Sequence, residues 1–272
     1  MNRQSLIDLI RKRRSYLCVG LDSDINKLPP HIPKTPEGLL SFNKAIVDAT
    51  KPFCVAYKPN FAFYESMGAQ GWEVLKDTVA YIGNQHLTIA DAKRGDIGNT
   101  ARQYAKAIFD VLDFDAVTIA PYMGVDSVEP FLEYKDKWTI VLGLTSNPGH
   151  KDIQMLTLQS GKYVYEQTVE TMMSLASPEQ LMFVVGATRG EALASFRQMA
   201  PDYFWLVPGV GAQGGNLDNV WQHGHGKDIS LLVNSSRGII FSGYGEDYAD
   251  TAAQSAKSLQ QVMAKHLDQI NF

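Results

Sequence analysis

The sequence predicts a single (β/α)8 barrel, the TIM-barrel architecture, with an N-terminal helix that caps it. Short apolar runs alternate with segments of helical spacing along the chain, which indicates βαβ units and a parallel sheet covered on both faces. No linker rich in Pro, Gly or Ser divides the 272 residues, a length that fits one barrel of about 250 residues. We therefore expect one domain over residues 1–272. A doubly wound open sheet is the alternative, because alternation alone does not show closure.

The first segment, MNRQSLIDLIRKRRSY, predicts a capped helix rather than a targeting signal. It lacks the apolar core and the small-residue cleavage site of a secretion signal, and Asp8 argues against a mitochondrial presequence. No run approaches eighteen consecutive apolar residues, so we expect no membrane span. Cys18 and Cys54 both lie in apolar runs, which favours buried thiols over a disulfide and indicates a cytoplasmic protein.

Eight apolar runs rich in Val, Ile, Leu and aromatic residues are predicted to form buried strands. They cover residues 16–22, 53–58, 87–91, 116–120, 139–145, 182–187, 204–208 and 231–234. The segments with helical spacing cover residues 38–50, 63–83, 99–111, 125–134, 163–175, 189–199, 217–222 and 248–266. The widest gap between strands separates the fifth from the sixth, where we expect a long loop on the active-site face.

The composition is that of a soluble globular protein, with 45% hydrophobic and 20% charged residues. Lys and Arg number 25 and Asp and Glu number 29, so the net charge is −4. This balance excludes the broad basic surface of a dedicated nucleic-acid binder. Any phosphate site must therefore be local.

Polar residues follow several predicted strands at their carboxyl ends. In a parallel barrel these ends and the loops after them form the active site. The candidates are Asp22, Lys58, Asp91, Lys93 and Ser146. A buried ionisable residue is costly unless it is paired. The ends of the strands therefore predict a site rich in paired charges.

The segment DAKRGDI carries the strongest chemical signal. Asp91 and Lys93 are two residues apart, so an extended chain would point both toward the barrel mouth, and Asp96 follows in the turn. With Lys58, these residues make an alternating set of lysines and aspartates. A substrate carboxylate beside Asp91 would be repelled, whereas a carbanion beside Lys93 would be stabilised and protonated, which suits decarboxylation without a cofactor. The alternative is an ion-pair ladder that only closes the barrel top.

Two loops near the C-terminus predict a phosphate site. VPGVGAQGGN follows the seventh predicted strand and NSSRG follows the eighth, the positions at which barrels commonly bind phosphate. Arg237 would pair with the phosphate in a bidentate manner, and Gln213 could bridge phosphate and base. The residues expected to bind substrate here are Pro208, Gln213, Gly214 and Arg237. A loop that merely turns the chain and a dinucleotide site are the alternatives, the latter weakened because Asp228 precedes its strand.

Three segments, ADAKRGDIGNTA, VPGVGAQGG and NSSRGI, together resemble the orotidine 5′-phosphate decarboxylase family, in particular its longer bacterial branch. They occur in the family's order and at the matching barrel positions, and the resemblance runs from Asp22 to Arg237. It implies a barrel that needs neither metal nor cofactor and converts orotidine 5′-monophosphate to uridine 5′-monophosphate and CO2. This reaction is the last step of de novo pyrimidine synthesis.

The resemblance also implies roles for the charged residues. Lys93 would donate the proton to C6 of the pyrimidine, and Asp91 would face the leaving CO2. Lys58 would complete the charged array and, with Asp22, position the ribose hydroxyls. Ser146 would contact the pyrimidine edge.

The same resemblance implies an obligate homodimer. The second aspartate of the D-x-K-x-x-D motif is Asp96, which in the family enters the neighbouring subunit's site, and Ile97 and Thr100 follow it. We therefore expect Asp96 and Thr100 to reach the partner's site and Ile97 to contribute to substrate binding. Gln213 would span base and phosphate, and Arg237 would clamp the phosphate. Ser236, where shorter members often have Gly, and the longer loop after strand five are departures from the family pattern.

Two alternatives belong to other functional classes. A related sugar-phosphate decarboxylase, aldolase or epimerase would need a divalent cation and an acidic ligand near the second strand, but that strand ends on Lys58. A catalytically silent nucleotide-binding barrel would have no need to bury a carboxylate that repels anions.

Overall fold

The computed structural model describes residues 1–186, 190–209 and 217–270. Eight parallel strands form a closed barrel in chain order. They are β1 (Leu17–Leu21), β2 (Ala56–Pro59), β3 (Leu87–Arg94), β4 (Ala116–Ile119), β5 (Trp138–Leu144), β6 (Leu181–Val185), β7 (Phe204–Val207) and β8 (Leu231–Ser235). The predicted barrel is confirmed, and the doubly wound alternative is wrong because β1 pairs with both β2 and β8.

Helices follow the strands and cover the outside of the barrel. They are α1 (Arg3–Arg13), α2 (Pro36–Thr50), α3 (Phe61–Glu65), α4 (Ala69–Ile82), α5 (Gly98–Lys106), α6 (Glu129–Leu132), α7 (His150–Ile153), α8 (Val164–Met173), α9 (Gly190–Met199), α10 (Leu217–Gly224), α11 (Arg237–Ile240) and α12 (Tyr248–Gln269). The strands are buried on both faces, as in β1, where all five residues are buried. This explains why they appear in the sequence as continuous apolar runs rather than as alternating patterns.

Helix α1 caps the barrel at the end opposite the strand carboxyl ends. The Asn2 side chain accepts a backbone N–H from the first turn, which satisfies a donor that the helix leaves unpaired. Leu6 and Ile10 are fully buried, and the Arg3 guanidinium lies 5.0 Å from the centre of the Phe204 ring at the start of β7. The predicted capping helix is thereby confirmed.

The prediction of one helix over residues 63–83 is wrong. The chain forms α3 and α4 instead, with a break at Gly68, whose φ of 65° lies in the left-handed region. A Cβ on Gly71 would lie 1.8 Å from the carbonyl oxygen of Tyr64, so α4 begins in close contact with the end of α3. Helical spacing of apolar residues continues across the break, which hides it in the sequence.

Two further helices are shorter than predicted. Residues 125–134 form a 3-10 turn, Val125–Ser127, and the single-turn helix α6, after Gly124 with a φ of 98°. The segment over residues 99–111 is α-helical in α5 and then forms a π-helical turn, Ala107–Val111. Both departures lie where backbone geometry, rather than apolar spacing, decides the local structure.

Cys18 and Cys54 are free and buried, as predicted. No helix within the described ranges is long and apolar enough to cross a membrane.

Candidate active site

A line of three charged side chains lies where β2 and β3 end. Lys58 Nζ donates to Asp91 Oδ2 at 2.6 Å, and Lys93 Nζ donates to Asp91 Oδ1 at 2.5 Å. The side chains of Lys58 and Asp91 are 5% and 10% exposed, whereas that of Lys93 is 52% exposed. Each oxygen of one carboxylate is thus held by a different ammonium, and only Lys93 presents its charge to the open mouth.

Pairing between opposite charges, rather than burial, decides the direction in which the pKa values of Asp91 and Lys58 shift. Burial by itself raises the pKa of Asp91, but the charges and hydrogen bonds of Lys58 and Lys93 outweigh it and lower that pKa to about 2. Burial lowers the pKa of Lys58, but the charges of Asp91 and Asp22 outweigh it, so the pKa lies above its ordinary value. Asp91 is therefore an anion and Lys58 a cation at neutral pH.

Asp91 and Lys93 are brought together as predicted, but not by an extended strand. The pairing of β3 with β4 shifts register between Ala90 and Arg94, and Lys93 has a left-handed φ of 47°. The expected alternation of an extended chain is therefore wrong over these residues. A bulge re-aims the two side chains, a function that bulges often have beside active sites.

Asp22 adds a second carboxylate at the end of β1. It contributes to raising the pKa of Lys58, so the two groups share one electrostatic environment. Its Oδ1 atom is buried and has no hydrogen-bond partner among residues 1–186, 190–209 and 217–270. A buried carboxylate oxygen without a partner is costly, and a polar group of a ligand could supply the missing hydrogen bond.

Strand β8 ends in the turn that carries Arg237. The Ser236 hydroxyl donates to the carbonyl oxygen of Gly20 at 3.0 Å and ties this turn to β1. A Cβ on Gly20 would lie 2.6 Å from Cβ of Ser236, so the contact requires glycine there. Arg237 is exposed as the first residue of α11, and Pro208 is half-buried just after β7. Gln213 and Gly214 lie outside the described residues.

Ser146 is exposed after the end of β5. Gln154, which no sequence motif indicated, fixes the neighbouring residue Thr145 through two hydrogen bonds. The Gln154 side chain accepts the backbone N–H of Thr145 at 2.8 Å and donates to the Thr145 hydroxyl at 2.8 Å. A Cβ on Gly186 would lie 2.6 Å from the backbone nitrogen of Ser146. Nothing in the sequence marks Gln154, because it lies in a polar loop without a recognisable motif.

Asp96 does not join the charged line within one chain. Its Oδ1 accepts the backbone N–H of Ile97 at 2.8 Å, and no salt bridge to Asp96 occurs in the described part of the chain. Ile97 is 48% exposed and Thr100 is exposed in the first turn of α5. These three residues lie at the rim, on the surface of the molecule.

Arg94 is a second residue that the sequence analysis did not use. It forms a salt bridge with Glu65 at the end of α3, and its guanidinium lies 5.5 Å from the ring centre of Phe61 and 5.3 Å from that of Tyr104. Arg94, the residue after Lys93, therefore connects α3 with α5.

Within the described ranges, no group of three or more His, Cys, Asp or Glu side chains is placed to hold a metal ion.

The chain as a whole matches a known protein family. The family model described as Orotidine 5'-phosphate decarboxylase / HUMPS family matches residues 15–252. The chain belongs to this family. Among its relatives named orotidine 5′-phosphate decarboxylase, one from Bacteroides fragilis is 50% identical and covers 99% of this chain and 100% of its own. Another, from Christiangramia forsetii, is 51% identical with the same coverage of both chains.

Solved structures of the orotidine 5′-phosphate decarboxylase family have the same fold. The Leishmania donovani OMP decarboxylase superposes with a TM-score of 0.80 at 35% identity and covers 95% of this chain and 98% of its own. The Plasmodium berghei orotidine 5'-monophosphate decarboxylase gives a TM-score of 0.84 at 25% identity and covers 99% of both chains. The predicted membership in this decarboxylase family is thereby confirmed.

Proposed function

We propose that this protein catalyses the decarboxylation of orotidine 5′-monophosphate to uridine 5′-monophosphate and CO2, the last step of de novo uridine 5′-monophosphate synthesis. The observation that carries the proposal is a buried carboxylate, Asp91, held between Lys58 and Lys93 at the barrel mouth. Relatives about 50% identical over their whole length carry the name of this activity. That similarity favours the decarboxylase over the metal-dependent sugar-phosphate barrels and over a silent nucleotide binder.

The chemistry follows from the order of the charges. A substrate carboxylate placed against Asp91 would be repelled by about 4 kcal/mol at 4 Å and an effective dielectric constant near 20. When the bond from C6 to the carboxylate breaks, CO2 leaves and the electron pair stays on C6. The Lys93 ammonium stabilises this pair and transfers a proton to C6, so the product carries hydrogen where the carboxylate stood.

Lys58 and Asp22 support this step. Lys58 is almost fully buried and keeps Asp91 ionised, since its charge lowers the pKa of that carboxyl. Asp22 Oδ1 is buried and unpartnered among the described atoms, which suits a hydrogen bond from a ribose hydroxyl. We assign both residues to the ribose, and Ser146 to the pyrimidine edge.

The phosphate is assigned to the loops after β7 and β8. Pro208, Gln213 and Gly214 of the first loop and Arg237 of the second are the residues we propose to contact it, with Gln213 also reaching the base. These contacts are remote from C6, so their binding energy would hold the substrate carboxylate against Asp91.

Removing the guanidinium at position 237 is expected to weaken nucleotide binding selectively. Arg237→Ala should lower affinity for uridine 5′-monophosphate by roughly 10- to 100-fold, the value of a charge-assisted hydrogen-bond pair, and leave uridine binding unchanged. Calorimetric titration with both ligands measures this preference. Arg11→Ala, on the capping helix, is the control. An unchanged preference for the nucleotide in Arg237→Ala would contradict the assignment.

We also propose a homodimer in which Asp96 and Thr100 complete the partner's site. An exposed apolar surface around them supports this: Ile97 is 48%, Tyr104 37%, Tyr122 86% and Met123 51% exposed. All four residues follow the neighbouring strands β3 and β4. Exposed apolar side chains that lie together are typical of a contact surface. A two-fold axis there would place Asp96 of each subunit beside the other's active site.

Mixing two inactive variants tests the shared site. Asp96→Ala and Lys93→Ala proteins are each expected to be inactive, and subunit exchange should restore about a quarter of wild-type activity, because half of the dimers would hold one intact site. The double variant Lys93→Ala/Asp96→Ala mixed with Asp96→Ala protein is the control and should stay inactive. If activity does not recover although subunit exchange is demonstrated, the shared site is refuted.

We place the enzyme in the cytoplasm, since both cysteines are free thiols.

A further inference from the structure

Strand β3 carries a bulge opposite a single residue of β4. Ala90 pairs with Val117 and Arg94 pairs with Ile119, so three residues of β3 face Thr118 alone. The three are Asp91, Ala92 and Lys93. A bulge of this kind takes backbone N–H groups out of the regular ladder, and these donors need another acceptor.

The Thr118 hydroxyl supplies that acceptor. Its Oγ1 accepts the backbone N–H of Ala92 at 3.1 Å and that of Lys93 at 3.0 Å. Its own proton faces two acceptors, the carbonyl oxygen of Ala90 at 3.4 Å and Asp91 Oδ1 at 3.3 Å. One hydroxyl therefore contacts the backbone just before the bulge, at Ala90, and two backbone N–H groups and the carboxylate within it.

The backbone of Lys93 needs such support. Its φ of 47° lies in the left-handed region, which is costly for a residue with a side chain and persists where the surroundings hold it. The N–H of this same residue is one of the two that Thr118 accepts. Without the Thr118 hydroxyl, the backbone N–H of Lys93 would lose its acceptor. Lys93 is also the residue whose ammonium contacts Asp91.

We propose that Thr118 is a positioning residue for the decarboxylation: its hydroxyl holds the bulge that aims Lys93 and Asp91 at the substrate. This inference rests on the roles proposed above for those two residues. Thr118 is 1% exposed and acts through the backbone beneath the site, without touching substrate.

Two substitutions separate the hydroxyl from the shape of the side chain. Thr118→Val keeps the branched shape and removes the hydroxyl, whereas Thr118→Ser keeps the hydroxyl. Thr139→Val on β5 is a matched control, because Thr139 is fully buried, pairs with Val117 and has an Oγ1 without a hydrogen-bond partner among the described residues. For each variant, kcat and KM for orotidine 5′-monophosphate and affinity for uridine 5′-monophosphate are measured.

Thr118→Val is expected to lower kcat roughly 10- to 100-fold, the effect of a small misplacement of a catalytic group, with KM and product affinity within about twofold of wild type. Thr118→Ser should stay within about threefold of wild type in kcat, because its hydroxyl can accept the same N–H groups. Thr139→Val should match wild type in all three quantities. Replacing a residue with only a structural role would not lower kcat while leaving KM and product affinity unchanged.

The inference is overturned if Thr118→Val keeps the kcat of Thr139→Val, if Thr118→Ser falls as far as Thr118→Val, or if KM and product affinity change by the same factor as kcat. Should Thr118→Val fail to fold, Thr118→Ala against Thr118→Ser makes the same comparison, since these two differ only in the hydroxyl. Wild-type protein inactive on orotidine 5′-monophosphate would instead contradict the proposed function.

Discussion

Replacing Lys93 by alanine is expected to abolish decarboxylation, with kcat at least about 10⁴-fold lower. The variant loses the proposed proton donor to C6, which is also the cation that we propose lies nearest to the developing negative charge. Asp91 Oδ1 also loses the hydrogen bond that Lys93 Nζ donates to it at 2.5 Å. Affinity for uridine 5′-monophosphate should change far less, because we assign the phosphate, ribose and base contacts to other residues. Turnover and product binding, measured on the same preparation, check both expectations.

Lys51→Ala is the matched control for this variant. Lys51 is 51% exposed and pairs with Asp48 at 2.7 Å, much as Lys93 is 52% exposed and pairs with Asp91 at 2.5 Å. The two lysines differ in place, since Lys51 lies directly after α2, away from the strand carboxyl ends. Near-normal turnover in Lys93→Ala would remove its proposed role, and a comparable loss in Lys51→Ala would show that the effect is unspecific.

Asp91→Asn is expected to lower kcat roughly 10³-fold or more and to destabilise the protein by about 3 kcal/mol at neutral pH. The substitution keeps the size of the side chain but removes the charge that we propose repels the substrate carboxylate. It also leaves the Lys58 ammonium, 5% exposed, without the carboxylate that contacts it at 2.6 Å. Kinetics and urea unfolding at pH 7 measure the two effects.

Acid should remove the stability that ionised Asp91 provides. Its pKa is lowered from an ordinary 3.8 to about 2, so its contribution is complete above pH 4 and is lost as pH falls from about 4 to about 2. The full contribution is about 2 kcal/mol. Asp91→Asn lacks this titration, so the difference in unfolding free energy between wild type and variant should narrow below pH 4.

Asp48→Asn is the control for the acid experiment. Hydrogen bonds from Lys51 and Tyr81 lower the pKa of Asp48, but this carboxylate lies at the surface, so its substitution should change stability little and turnover not at all. If the difference in unfolding free energy between wild type and Asp91→Asn stayed constant from pH 6 to pH 3, the pairing of Asp91 with the two lysines would be contradicted.

The sequence predicts this site well where a residue follows a buried strand. Asp22 follows β1, Lys58 is the penultimate residue of β2, and Asp91 follows the four buried residues of β3. Closure of the barrel brings these three positions together. The capping helix was predictable for a related reason, since Asn2 precedes a segment with apolar residues at helical spacing. In both cases a local pattern determines a long-range position.

The features that escaped prediction depend on contacts between segments distant in the chain. The bulge in β3 is a shift in its register against β4. The spacing of apolar residues along one strand does not show how that strand pairs with its neighbour. Thr118 lies inside the apolar run AVTIA, where a threonine looks like part of the core. The break at Gly68 interrupts a helix without interrupting its apolar spacing. Each of these features is decided by hydrogen bonds or backbone angles.

We propose that paired lysines and aspartates decarboxylate the nucleotide without a metal or cofactor. The most direct test of this proposal is the loss of orotidine 5′-monophosphate absorbance with purified protein, with and without excess EDTA. We expect turnover at the same rate in both conditions, with uridine 5′-monophosphate as product. Turnover that chelation abolishes and added metal restores, or no turnover in either condition, would contradict it.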